Sequence, residues 1–360
     1  MERYIPGIGL AAGSMMIKWN LLDKHIKSNL CKLENEENIN VFINFESVLK
    51  NLYLQQGLTN SINFYKMNVV IELESAVLNL MAHYRMYFKK EKCEPKVYFY
   101  YTDIDMIEQQ MFVYNKDYRT YYHNKYIQDP KFNKMGKLLK NIIIEELSLI
   151  ISYIPGCYFI KTKRFDSSIV PYIVSTFSDN KNVIISGDIF DTLYMFDPNF
   201  FTIYINRRFQ HLKVTSDIPD TVQSIIKNES SFDLNIFNSE MYYRLLLSIK
   251  GNKIRNIKSA KGFGYGKLIS TIKKGIDNSI VLKDFESIDS IIELFPSEYR
   301  EDIKVAFQCT SIYTQYELLN EADIESVKHQ IVDKFDISSL EALNNKRFLD
   351  FPINLQGLLN

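Results

Sequence analysis

Asn182-Val183-Ile184-Ile185-Ser186-Gly187-Asp188 sets three β-branched aliphatic residues in a row and closes them with a small residue, a glycine and an acid. A short apolar run with polar ends reads as a strand buried on both faces. Two earlier runs have the same character. They are Val41-Phe42-Ile43-Asn44-Phe45 and Lys96-Val97-Tyr98-Phe99-Tyr100-Tyr101, the second leading into Thr102-Asp103-Ile104-Asp105. Cys157–Lys161 is a fourth, shorter run. Helical patterns lie between them, at Glu46–Gln55, Val69–Lys90, Met135–Ser152 (stopped by Pro155-Gly156) and Ser167–Ser178. Strands that alternate with helices imply βαβ units and a mostly parallel α/β sheet flanked by helices. Chemistry in such sheets gathers beyond the carboxyl ends of the strands, so Asn44, Thr102, Asp103 and Asp188 are the first residues to weigh.

The chain has 360 residues, 46% apolar and 24% charged, the balance of a globular protein with one large body and an appendage, or two modest domains. Lys and Arg together number 43, as do Asp and Glu, so the formal charge is zero and a uniformly basic nucleic-acid binder is excluded. The zero conceals an asymmetry. Lys250, Lys253, Arg255, Lys258, Lys261, Lys267, Lys273 and Lys274 carry +8 over 25 residues with no acid among them. Asn278–Asn360 holds 15 acids against 7 bases. A polyanion would bind the basic block, although a solvated helix face would have the same composition.

Several chemistries lack their residues. Cys31, Cys93, Cys157 and Cys309 have no CxxC spacing and read as buried thiols in a reducing compartment. The five histidines have no HxxxH or HxH spacing, and neither a Walker loop nor a serine nucleophile elbow is present. No apolar stretch approaches the roughly 20 residues of a membrane span. The opening Met1–Asn20 carries Glu2 and Arg3 and lacks a signal-peptide layout. The expectation is a cytoplasmic protein with no membrane contact.

Within the basic block, Ile257-Lys258-Ser259-Ala260-Lys261-Gly262-Phe263-Gly264-Tyr265-Gly266-Lys267 reads as two helical stretches joined by a Gly-hydrophobic-Gly turn. Glycines let a backbone approach a phosphate closely, and amides at the start of the second helix donate to an anion. This is the layout of a helix-hairpin-helix element, which grips a nucleic-acid backbone without reading its sequence. A plain structural turn is the competing reading.

From here the chain resembles the flap-endonuclease-like 5′ nucleases, especially the phage 5′–3′ exonucleases called ribonuclease H. The likeness rests on the order of several pieces over roughly residues 40–275. Strand ends Phe42-Ile43-Asn44-Phe45, Tyr101-Thr102-Asp103 and Ser186-Gly187-Asp188-Ile189-Phe190 fall where the family's strands end in acids. Phe165-Asp166-Ser167-Ser168 matches a Glu-Ala-Asp-Asp helix start, and Gly251-Asn252-Lys253-Ile254-Arg255-Asn256-Ile257 matches the turn before the hairpin. Tyr118-Arg119-Thr120-Tyr121-Tyr122-His123-Asn124-Lys125 matches a Tyr-rich basic DNA-binding stretch, and Arg347–Ile353 the tail. The resemblance implies a PIN-like core at 39–234, after an extension at 1–38. A helix-hairpin-helix region at 235–277 and an acidic helical region at 278–360 follow.

The family's chemistry is metal-assisted phosphodiester hydrolysis, in which clustered carboxylates hold two divalent ions about 4 Å apart. Most matched positions here are not acids. Asn44, Thr102, Phe165, Ser167, Ser168, Phe190, Asn252 and Arg255 stand in their places, and only Asp188 remains. The first reading is therefore a catalytically impaired nuclease relative with no cofactor. It would bind DNA or an RNA–DNA hybrid through Lys258, Lys261, Gly262, Gly264 and Lys267, with Arg119 and Lys125, as an accessory of a viral replication or transcription apparatus. The second is an active Mg²⁺ or Mn²⁺ nuclease with displaced ligands, catalysed by Asp188, Asp103, Asp166 and Asp191, the first three holding metal. Against it, Asp166 and Asp191 also suit helix caps, Asp191 ahead of Thr192–Met195. A third reading is a protein-interaction scaffold that docks its partner through the acidic tail.

Overall fold

In a computed structural model, the described residues are 38–48, 77–78, 81, 85, 94–103, 137–205, 211–214, 240–251, 267, 270–271 and 292–332. They fall into two compact units. One draws on Met1–Asp103, Tyr126–Lys213 and Glu321–Asn360, the other on Ile104–Lys125 and Val214–Asn320.

The first unit is built on a sheet. Its strands are Asn38–Asn44 (β1), Glu94–Thr102 (β2), Cys157–Thr162 (β3), Lys181–Ser186 (β4), Phe200–Ile205 (β5) and His211–Val214 (β6), in the order β3-β2-β1-β4-β5-β6. Strands β1 to β5 pair in parallel throughout. The order runs outward from β1 through β2 to β3 and then resumes beside β1 with β4. The switch point of this α/β sheet therefore lies between β1 and β4, where ligand crevices form.

Side chains alternate across the strands, so the sheet has two distinct faces. In register, Asn40, Phe42 and Asn44 of β1 lie beside Lys96, Tyr98 and Tyr100 of β2, and Asn40 lies beside Asn182 of β4. On this face Phe42 stacks on Tyr98 at 4.9 Å between ring centroids, and Tyr98 on Tyr158 at 5.0 Å. On the other, Phe45 meets Phe99 at 6.0 Å and Phe159 at 5.0 Å. Burial on both faces explains why the strands read as nearly continuous apolar runs.

Helix Lys137–Ser152 (α1) is followed by a turn through Pro155-Gly156, where Gly156 takes φ +65°, a left-handed conformation that suits glycine, before β3 begins. The expected helix over Ser167–Ser178 is divided. A 3-10 turn, Ser167–Ile169, precedes the α-helix Val170–Ser175 (α2), which has Pro171 in its first turn. An eight-residue 3-10 segment, Ile189–Phe196, links β4 to β5. Helices Glu240–Lys250 (α3), Ser297–Cys309 (α4) and Ile312–Glu317 (α5) belong to the second unit, and Glu321–Lys328 (α6) to the first. Within the second unit the Arg244 guanidinium lies 4.0 Å from the centre of the Phe307 ring and donates to the Phe307 carbonyl at 3.0 Å, joining α3 to α4. Within the first, the Gln330 amide accepts from Lys161 N at 2.8 Å and donates to Lys161 O at 3.1 Å, covering part of the β3 edge. Among the described residues, no helix is long and apolar enough to cross a membrane.

Candidate functional site

The carboxyl ends of β1, β2 and β4 meet around one carboxylate. Asp191 is fully buried, and its Oδ2 accepts from Asn44 Nδ2 at 2.7 Å, from Tyr100 OH at 2.8 Å and from Ser186 Oγ. Asn44 serves two partners. Residues 45–48 begin a helix, and the Asn44 Oδ1 accepts from Ser47 N at 3.0 Å, a helix N-cap. Its amide oxygen is thus committed to the backbone while its NH₂ turns to Asp191. Ser47 Oγ donates to Asn44 O at 3.0 Å and accepts from Gly187 N at 2.9 Å, a bond that crosses the switch point from β1 to the loop after β4.

Burial pushes the Tyr100 phenol well above its ordinary pKa, and the charge of Asp191 and the hydrogen bond to it push in the same direction. The phenol therefore stays protonated and keeps donating.

A second link lies one strand over. Thr102 Oγ1 accepts from Ser167 N at 2.9 Å and donates to Ser167 Oγ at 2.8 Å, tying the end of β2 to the loop after β3. Asp166 caps the 3-10 turn by accepting from Ser168 N at 2.9 Å, so its carboxylate serves the backbone as the capping reading expects. Asp188 is likewise the N-cap of Ile189–Phe196, accepting from Phe190 N at 3.0 Å. This corrects the expectation that Asp191 caps Thr192–Met195. The cap is one turn earlier, and Asp191 points into the protein. Phe165 and Phe190 are buried in the core. Asp103 closes β2, its N–H donating to Thr162 O at 2.8 Å, and its side chain is half-buried.

Of the four acids named for an active enzyme, the structure thus brings Asp191 to the strand ends, gives Asp166 and Asp188 to helix caps, and leaves Asp103 at a strand terminus. Among the described residues, no three of His, Cys, Asp and Glu assemble into a group able to hold a metal ion. The donor set does not fit the two ions that the resemblance implies. Mg²⁺ requires oxygen ligands, and two adjacent ions require several anionic ones. Here amide, hydroxyl and phenol groups offer protons to the buried Asp191 carboxylate, and protons repel a cation.

The sequence reading passed over Tyr100, Ser186 and Ser47. Tyr100 is one of 24 tyrosines, and only its register opposite Asn44 marks it out. Lys267 is helical and exposed, and Ser270 Oγ donates to its carbonyl at 2.9 Å. Arg119, Lys125, Lys258, Lys261, Gly262 and Gly264 lie outside the described residues, as do Asn252 and Arg255 and the hairpin itself.

No family model matches the sequence, and no curated protein matches it. Solved structures do match. The T5 5′-exonuclease, in a structure with divalent zinc ions bound, superposes with a TM-score of 0.51 at 10% identity, covering 81% of this chain and 98% of that one. The T5 D15 protein co-crystallised with metal ions gives 0.50 at the same identity and coverage. This chain has the flap-endonuclease-like fold. At 10% identity the likeness speaks for the fold alone, and the bound metals are properties of those proteins.

Proposed function

We propose that the chain is a catalytically impaired member of the 5′-nuclease fold that binds DNA or RNA–DNA through the phosphate backbone, as an accessory in a viral replication or transcription apparatus. One observation carries the loss of catalysis. Where the resemblance places a metal-binding acid at the end of β1, Asn44 turns its NH₂ toward Asp191 at 2.7 Å. A group that donates there cannot ligate a cation with the same atom. Binding is supported by the fold and by the uninterrupted basic block from Lys250 to Lys274. In this reading Lys258, Lys261 and Lys267, with the backbone at Gly262 and Gly264, contact phosphates, Arg119 and Lys125 add to the grip, and no cofactor is used.

Labelled flap DNA and RNA–DNA hybrids, incubated with Mg²⁺ or Mn²⁺, test both halves. The expected result is salt-sensitive retention with intact substrate. Charge reversal at Lys258, Lys261 and Lys267 should weaken binding to all sequences alike and lower the log–log salt slope by roughly 2–3. Metal-dependent cleavage abolished by Asp188→Ala would overturn the impaired reading. Unchanged retention by the triple variant would overturn the binding surface.

A further inference from the structure

We infer that the carboxyl-end cluster of the sheet is a cation-independent clamp, in which three protein donors on Asp191 do the structural work that bound cations do in a metal-holding site of this fold. The inference deepens the reading of impaired catalysis but does not depend on nucleic-acid binding.

The first support is position. Asn44 and Ser186 end β1 and β4, and Tyr100 lies two residues from the end of β2, so the three come from adjacent parallel strands on either side of the switch point. Strand ends that carry several carboxylates repel one another unless a cation neutralises them. Here Asp166 and Asp188 are turned to helix caps, and hydrogen bonds from all three strands converge on the Oδ2 of the buried Asp191. The Gly187 N bond to Ser47 Oγ adds a second stitch across the same gap.

The second support is the chemistry of Asn44. Asp and Asn are equally good helix N-caps, so an aspartate at 44 could still accept from Ser47 N. What it could not do is donate. It would set a second negative charge within hydrogen-bond reach of a carboxylate that water does not contact. The amide thus removes one charge and supplies a bond, with its cap function intact.

The third is competition. A divalent ion ligated by Asp191 Oδ2 would have to displace the three donors already bound there and shed water, which Mg²⁺ does reluctantly. Oδ2 is closed to cations by the bonds that hold the cluster together.

Thermal unfolding in chelator and in millimolar manganese tests the clamp. Wild type is expected to melt at the same temperature in both. Tyr100→Phe, which deletes one donor and keeps the ring, should melt lower by roughly 2–4 °C in both. Asn44→Asp in chelator should melt lower by roughly 5–10 °C, because it replaces a donor with a charge. A saturable rise of the wild-type melting temperature with manganese overturns the inference, as does an Asn44→Asp protein as stable as wild type in chelator. If Asn44→Asp does not yield folded protein, Tyr100→Phe decides, and melting identical to wild type overturns the clamp. Retention of labelled DNA by the same wild-type sample reports on nucleic-acid binding alone, so either conclusion can fail without the other.

Discussion

Two polar clusters sit on one face of the same sheet, at opposite ends of β1 and β4. At the amino end Asn40 donates to Asn182 Oδ1 at 2.9 Å and to Ser178 Oγ at 3.1 Å, and accepts from Asn180 Nδ2 at 3.2 Å. At the carboxyl end the hub is Asp191, with Asn44, Tyr100 and Ser186 around it. Phe42, Tyr98 and Ile184 lie between the two ends. Asn40 and Asp191 are both fully buried, so both must be satisfied from within the protein. The amino-end cluster is wholly neutral, and amides suffice to fix β1 against β4. The carboxyl-end cluster keeps a charge, whose desolvation must be offset by convergent donors. A fold needing only registration would have no use for that charge. Asp191 stands one residue beyond Phe190, where the resemblance expects an acid.

The comparison is most easily broken at its hubs. Asp191→Ala strands three buried donors and should lower stability by about 3–4 kcal/mol, the largest single effect in the sheet. Asn40→Ala leaves neutral groups with easier alternatives (the donor Asn180 is half-buried) and should lower it by about 1–3 kcal/mol. Chemical denaturation of both variants beside wild type gives the ranking. If Asn40→Ala proves the more damaging, the charge at the carboxyl end contributes less than its donors suggest.

What the sequence revealed follows the same division. The four strands that alternate with helices were legible as short apolar runs, and the structure moves their ends by at most three residues, ending β1 at Asn44, one residue before Phe45. Strand β5, Phe200-Phe201-Thr202-Ile203-Tyr204-Ile205, was missed although its composition suits a strand. It follows β4 through the 3-10 segment rather than an α-helix, so the βαβ rhythm does not announce it. The four-residue β6 is shorter still. Asn44 and Thr102 were legible as polar residues at strand ends, but their partners were not. Tyr100 faces Asn44 only because β1 and β2 pair in one particular register, which no local pattern encodes. Asp191 read as a cap because it precedes a short helical run. The 3-10 segment starts three residues earlier, at three residues per turn, and that shift gives the cap to Asp188 and sends Asp191 inward.

The smallest expected effect is also the most specific to the charged end. Tyr100 has a folded pKa above its ordinary value, whereas an unfolded tyrosine ionises near 10. Below about pH 10 the phenol is protonated in both states, and its hydrogen bond to Asp191 contributes in full. As pH climbs past that value toward the folded pKa, the unfolded chain releases the proton and the folded one does not, so the folded state loses relative stability. Tyr100→Phe has no such proton. At neutral pH it should be less stable than wild type by about 1 kcal/mol, and the gap should close above pH 10 by up to about 1.4 kcal/mol per pH unit. Denaturation midpoints measured in parallel from pH 8 to pH 11 isolate this difference, because the other tyrosines titrate equally in both proteins. Profiles that stay parallel to the alkaline limit would mean that the phenol does not feel the Asp191 charge, and the two ends of the sheet would then differ in composition but not in electrostatics.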